Sequence, residues 1–171
     1  MEDYIKYIRS LVGHKKIMAV GVAVLLVNEK DEILLETRSD NGCFSFPGGA
    51  LNMGEKVKSG AIRETYEETG IKLKEEDLKL IGVYSGEEGR LEYPNKDITY
   101  YTDIIFFASV DSKTIEIKPL DNESKEINFY PFNEIDLNRC LKMDRKVLVN
   151  YSLNGINEIV IDWGKHNGKN I

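Results

Sequence analysis

The most informative segment of the chain is GALNMGEKVKSGAIRETYEETGI, Gly49 to Ile71. From Lys56 to Thr69 its spacing predicts a helix, and Gly70 sits where a glycine in the left-handed region ends one. On that helix Glu64, Glu67 and Glu68 stand at i, i+3 and i+4, so they share a face. Like charges at this spacing destabilise a helix by about 0.2–0.5 kcal/mol a pair. Carboxylates near the C-terminal end also oppose the helix dipole. The arrangement does nothing for structure, whereas a hard divalent cation, which takes oxygen ligands, would offset its cost. Gly60 and Ala61, one turn earlier on the same face, leave room for a ligand or another backbone. Ile62, Thr65, Tyr66 and Thr69 fall on the opposite face and are expected to pack. Taken alone, RETYEE is an ordinary solvated helix surface. What distinguishes it is the surrounding spacing: Gly49, five residues, Glu55, seven residues, then Arg63-Glu64-x-x-Glu67-Glu68-x-Gly70-Ile71.

N-terminal to this segment, IMAVGVAVLLV (17–27) predicts a buried strand, Asn28 to Asp31 a turn and Glu32 to Arg38 a second strand, making 17–38 a hairpin. Residues 3–12 have helical spacing, ended by Gly13. Strands are expected at Leu78–Tyr84 and Thr99–Val110. Between them SGEEGRLEYPNKD forms a polar loop long enough to carry function. Ile115–Lys118 and Lys125–Tyr130 read as two more strands, with a short turn at Phe132–Asp136, a helix near Lys142–Ser152 and an edge strand at 158–163. There is no repeat, low-complexity segment or linker, so residues 1–171 read as a single domain. Mixed strands with few helices imply an α/β or α+β sandwich.

Composition narrows the partners. With 23 Lys+Arg against 29 Asp+Glu the net charge is −6, which speaks against binding a nucleic-acid polymer. A phosphorylated ligand would then be drawn by a divalent cation rather than by bulk charge. Two cysteines, Cys43 and Cys140, cannot form a disulfide framework and imply a reducing compartment. The first residues do not read as a signal peptide, and the longest apolar run, Ile17 to Val27, falls far short of a bilayer span. The expectation is a soluble, cytoplasmic protein without membrane partners. A homodimer is compatible with the sequence, which does not set the oligomeric state.

The spacing of Gly49 to Ile71 resembles the signature of the Nudix (MutT-like) hydrolases, G-x5-E-x7-R-E-U-x-E-E-x-G-U with U apolar. Every fixed position matches; the first U is Thr65 instead of an aliphatic residue. The likeness extends to Phe46-Pro47-Gly48-Gly49 and to the strand order over most of residues 17–136. The resemblance implies an α/β/α sandwich around a mixed sheet, with the motif as loop-helix-loop. It implies Mg²⁺- or Mn²⁺-dependent hydrolysis of a nucleoside diphosphate linked to another moiety. Glu64, Glu67 and Glu68 would supply metal ligands, with the Gly49 carbonyl adding one, and Arg63 would pair with Glu55 to hold the loop against the helix.

A further glutamate outside the motif is often involved in such enzymes. Glu123, Glu126, Glu87, Glu88 and Glu92 are the candidates, each of which also reads as a solvated charge. Arg38, after a strand and before the motif loop, has the guanidinium to hold a phosphate, or else forms a surface salt bridge. Tyr93, in the middle of the 85–97 loop, could stack on a nucleobase or merely pin its own loop. Phe44 and Phe46 are expected to pack. His14 and His166, with no accompanying cysteine cluster, argue against zinc. Markers of substrate subgroups are absent from Ser85–Gly89. The leading expectation is pyrophosphate hydrolysis of an ADP-ribose-like substrate. The alternatives are a nucleoside triphosphate pyrophosphohydrolase acting on oxidised dNTPs and a catalytically silent nucleotide sensor.

Overall fold

A computed structural model describes residues 4–120 and 123–156, together with the backbone of 160–161. Its backbone is organised by strand β1 (Ile17–Val27), whose alternate side chains enter two different cores. Val22, Val24 and Leu26 join Leu34, Phe106 and Ala61 on one face. Ala23, Leu25 and Val27 join Leu35, Ile105, Val147 and Leu148 on the other. A strand buried on both faces must be central, and each aliphatic side chain so buried contributes about 1.5–3 kcal/mol.

Strand β2 (Glu32–Arg38) follows a tight turn in which the Asn28 side-chain oxygen accepts from the Lys30 and Glu32 amides. The expected hairpin is only its closed end. β1 and β2 pair at Val27 and Ile33, then part. Beyond that point β4 (Gly48–Ala50) takes the β1 edge, opposite Gly21 to Ala23. β2 instead pairs with β3 (Phe44–Ser45) and, along its other edge, with β8 (Ser124–Pro131). The other edge of β1 runs parallel to β7 (Ile98–Ser109) over its whole length, from Ile17 opposite Thr99 to Val27 opposite Ser109. β5 (Lys79–Tyr84) and the short β6 (Arg90–Glu92) are both antiparallel to β7. The backbone of β9 (Val160–Ile161) lies parallel to β5, and the rest of the edge strand expected at 158–163 falls outside the described residues.

The mixed sheet carries α2 (Val57–Thr69) on one face and α3 (Lys142–Asn154) on the other, as the α+β class requires. α1 (Tyr4–Val12) ends at Gly13 in the left-handed region and has no fully buried residue. Gly70 ends α2 in the same conformation, its amide donating to the Tyr66 carbonyl. Among the described residues no helix is long and apolar enough to cross a membrane.

Three expectations are corrected. Residues 115–118 are not a strand: Lys118 and Leu120 donate instead to the Thr69 and Glu67 carbonyls, strapping the segment to the end of α2. Ile115 and Ile117 reach the α2-side core from there, so the apolar alternation is satisfied without a partner strand. The 85–97 loop is partly regular, with a 3₁₀ turn at Glu87–Gly89 and β6 folding back on β7. Tyr66 lies on the surface, under the Lys72 ammonium, rather than in the core.

Candidate active site

The loop before α2 and the helix itself are joined by one guanidinium. Arg63 Nε and Nη2 donate to the two carboxylate oxygens of Glu55 at 2.8 and 2.9 Å. Glu55 stands before the first turn of α2, and its Oε2 also accepts from the Asn52 amide at 3.0 Å. The loop thus folds back over the helix. Gly60 makes this approach feasible, since a Cβ there would lie 2.4 Å from a Leu51 methyl and 3.2 Å from the Glu55 carboxylate. The fork geometry is the strong form of the contact. It holds the Glu55 carboxyl below its ordinary range, and the Glu55 hydrogen bond raises the Arg63 guanidinium.

Arg63 also faces the acidic side of the helix. Its Nη1 donates to Glu64 at 2.7 Å and to Glu67 at 3.1 Å. Glu68 points the other way, into the protein, where it is 2% exposed and accepts from the Gly48 amide at 2.6 Å. Burial raises the Glu64 carboxyl to about 7 against the opposing pull of Arg63, with Glu67 and Glu123 adding to the rise. Burial likewise drives Glu68 well above the ordinary range, helped by Glu36 and Glu64. The shared face therefore divides: Glu64 and Glu67 on the cleft, Glu68 beneath it. Gly49 is pressed against this group, for a Cβ there would sit 2.7 Å from Glu64 Oε1.

As they stand, no three Asp, Glu, His or Cys side chains among the described residues converge in a ligating arrangement, because Glu64 and Glu67 are turned onto Arg63. The donor set nevertheless fits a hard cation. Carboxylates that repel one another gain from a positive charge between them, and here a guanidinium is the stand-in between two of them.

These groups form one end of a cleft of about 860 Å³. It opens where β1 and β2 part, and Ala23 and Arg38, one from each strand, both line it. Arg38 forms a two-point salt bridge with Asp40, Nε to Oδ1 at 3.0 Å and Nη2 to Oδ2 at 2.9 Å, while still facing the cleft. Tyr93 also lines the cleft, its hydroxyl 2.7 Å from that of Tyr101. Of the described glutamates outside the motif, Glu123 alone lines the cleft, and its charge reaches both Glu64 and Glu68. Glu126 binds Asn128, Glu92 pairs with Arg90 and Lys96, and Glu88 pairs with Lys146. Glu87 is exposed.

Sequence reasoning missed four acidic or aromatic groups. Glu36, 2% exposed, accepts from the Ser45 hydroxyl at 2.8 Å and from the Ser124 hydroxyl. Asp103 and Asp144 line the cleft floor, and Tyr101 lines the side that holds Tyr93. Burial pushes the Asp103 carboxyl to about 7 and Asp144 well above its ordinary range. The available signal was a charge inside otherwise apolar strands, EILLETR and ITYYTDIIFFAS. Asp144, in the first turn of α3, had a bland alternative as a dipole-stabilising acid.

Comparison with known proteins matches residues 18–151 to the NUDIX domain family model. An ADP-ribose pyrophosphatase of Methanocaldococcus jannaschii is 35% identical over 132 residues, 74% of this chain and 71% of that protein. A MutT-like protein of Streptomyces ambofaciens is 41% identical over 66 residues. That match spans 39% of this chain and only 42% of the Streptomyces protein. Among solved structures, the MutT protein of Methanosarcina mazei Go1 superposes with a TM-score of 0.65 at 25% identity, covering 81% of this chain and 96% of that one.

Proposed function

We propose that this chain, which belongs to the Nudix hydrolase family, hydrolyses the pyrophosphate linkage of a nucleoside diphosphate joined to a second moiety, with ADP-ribose the first compound to test. The observation that carries the reading is the half-buried Glu64 carboxyl at the end of a cleft large enough for a dinucleotide-sized ligand, with the buried Glu68 carboxyl beneath it. The name of the Methanocaldococcus relative supports ADP-ribose in particular.

In this reaction a water oxygen bonds to one phosphorus, the bridging P–O bond breaks, and two phosphate monoesters leave. Glu64, Glu67, Glu68 and the Gly49 carbonyl would hold Mg²⁺ or Mn²⁺, which neutralises charge developing on the phosphates. Glu123 lines the cleft beside them and is suited to accept the proton lost by water. Arg63 and Glu55 fix the loop that carries Gly49, and Arg38 offers a guanidinium to the phosphates. Phe46 and Leu141, with the carboxyls of Asp103 and Asp144, offer a partly apolar slot to the nucleoside.

The test is a chromatographic product screen with Mg²⁺ against ADP-ribose, nucleotide sugars, dinucleoside polyphosphates and dNTPs, since cleavage at a bridging oxygen frees no inorganic phosphate. The expected result is turnover of ADP-ribose to AMP and ribose 5-phosphate, abolished by EDTA and restored by Mg²⁺ or Mn²⁺. Glu64→Gln and Glu68→Gln should each lower kcat by at least about 10²-fold. Turnover of dNTPs alone would move the assignment to a triphosphate pyrophosphohydrolase, and no turnover of any compound would favour a silent sensor.

A further inference from the structure

α1 lies outside the segment that matches the family model, yet Ile5, Lys6 and Arg9 line the cleft. It buries none of its residues fully, so the hydrophobic core does not explain its position. What holds it is a set of polar ties at both ends, one to each bank of the cleft. At the first end the Tyr4 amide donates to Asn52 Oδ1 at 3.2 Å, and Asn52 belongs to the motif loop through its own bond to Glu55. Toward the other end Arg9 Nη2 donates to the Ile98 carbonyl at 3.0 Å and to Thr99 Oγ1 at 3.1 Å, and its Nε stands 3.6 Å from Asp97. Asp97 is itself buried, accepting from Asn95 at 2.9 Å with His14 at 2.7 Å. The helix therefore bridges the motif loop and the 93–97 turn, and the three form a continuous wall.

The chemistry of that wall differs from that of the floor. Lys6, Asn52, Asn95 and the paired hydroxyls of Tyr93 and Tyr101 present hydrogen-bonding groups, with Ile5 as the apolar element. Such a surface suits a hydroxyl-rich ring better than the flat face of a base. The more apolar slot by Phe46 and Leu141 is left for the base. We propose that α1, tied across the cleft from Asn52 to Asp97, is the wall against which the sugar beyond the diphosphate rests, with Lys6 as its specificity-determining side chain. This rests on the reading that the substrate is a nucleoside diphosphate bearing such a sugar. Arg9 is a positioning residue, since its donors are spent on holding the helix.

The two halves of ADP-ribose separate the roles. Binding of ribose 5-phosphate and of AMP, each with Mg²⁺, is measured by calorimetry on the full chain and on Lys6→Ala, Arg9→Gln and Lys30→Ala variants. Lys30, in the β1–β2 turn and outside the cleft lining, controls for net charge. Lys6→Ala should weaken ribose 5-phosphate by about tenfold, the loss expected for one charged hydrogen bond, and leave AMP within about twofold. Arg9→Gln should weaken ribose 5-phosphate in the same direction, and Lys30→Ala neither ligand. Weakening of AMP instead, an unchanged ribose 5-phosphate affinity in both cleft variants, or no ribose 5-phosphate binding to the unaltered chain would each overturn the proposal. None of these measurements needs turnover, so failure to hydrolyse ADP-ribose would count against the function proposed above and not, by itself, against this wall.

Discussion

Thr65 occupies the one motif position where the family pattern asks for an aliphatic side chain, and its hydroxyl is buried without a hydrogen-bond partner. A buried, unsatisfied hydroxyl costs about 1–3 kcal/mol, whereas a methyl of the same shape costs nothing to desolvate. Thr65→Val should therefore raise unfolding stability by about 1 kcal/mol, measured by urea titration, and leave the Thr69 hydroxyl on the Thr65 carbonyl undisturbed. A loss of stability would mean that the hydroxyl has a partner when the protein is hydrated. Asp103 poses a related question with a pH axis. Its folded-state value of about 7 lies above the ordinary 3.8, so across that window the folded chain keeps a proton that the unfolded chain has released. Stability due to this group is fully present below about 4 and is lost as pH rises to about 7. Asp103→Asn removes that loss. The variant should melt higher than the parent at pH 8 and show a smaller difference at pH 4; an equal difference at both would show that the carboxyl does not titrate in this range.

At the scale of the element, the loop and α2 behave as one unit because Glu55 and Arg63 close on each other with both oxygens and two nitrogens. Arg63→Ala frees the loop that carries Gly49, and a misplacement of about 1 Å costs about 10² in rate. Glu55→Ala should cost a similar amount, and the double variant should be little worse than either single one in kcat/KM. Fully additive losses would point to two independent roles. This pair was legible in the sequence because motif spacing is local and the fork needs only a loop that folds back. The long strands and α2 were legible for the same reason, since their periodicity is written in consecutive residues. The strand expected at 115–118 was not, because Ile115 and Ile117 alternate like a strand while their backbone groups go to the carbonyl end of α2, a choice made by distant residues. Tyr66 was misplaced because the helix face was divided by charge, whereas Glu68 turns inward to the Gly48 amide and rotates the packed face away from Tyr66. Asp144 and the α1 wall were invisible in one dimension, being brought to the cleft by segments nearly the whole chain apart.

For the whole molecule, a cation that binds only the folded site should be felt as stability. At about a hundredfold excess over its Kd it adds about 2.7 kcal/mol. Mg²⁺ or Mn²⁺ should therefore raise the thermal midpoint in a concentration-dependent way, EDTA should reverse it, and Glu64→Gln should blunt it. A midpoint indifferent to both ions would argue that the carboxylates serve another purpose. The full-length parallel ladder between β1 and β7 has a further consequence, for time instead of equilibrium. Its first pair, Ile17 and Thr99, is separated by 82 positions, and every later pair by the same interval. No local hairpin can start this ladder. The chain must close a loop of that length before any of the central pairing forms, and the entropy of closure is spent before the contacts return it. Folding should thus be slow for a chain of this size. Pulsed hydrogen exchange during refolding should find α2 protected early and the amides along the β1–β7 seam last, leaving two strands rich in apolar residues open to other chains in the interval.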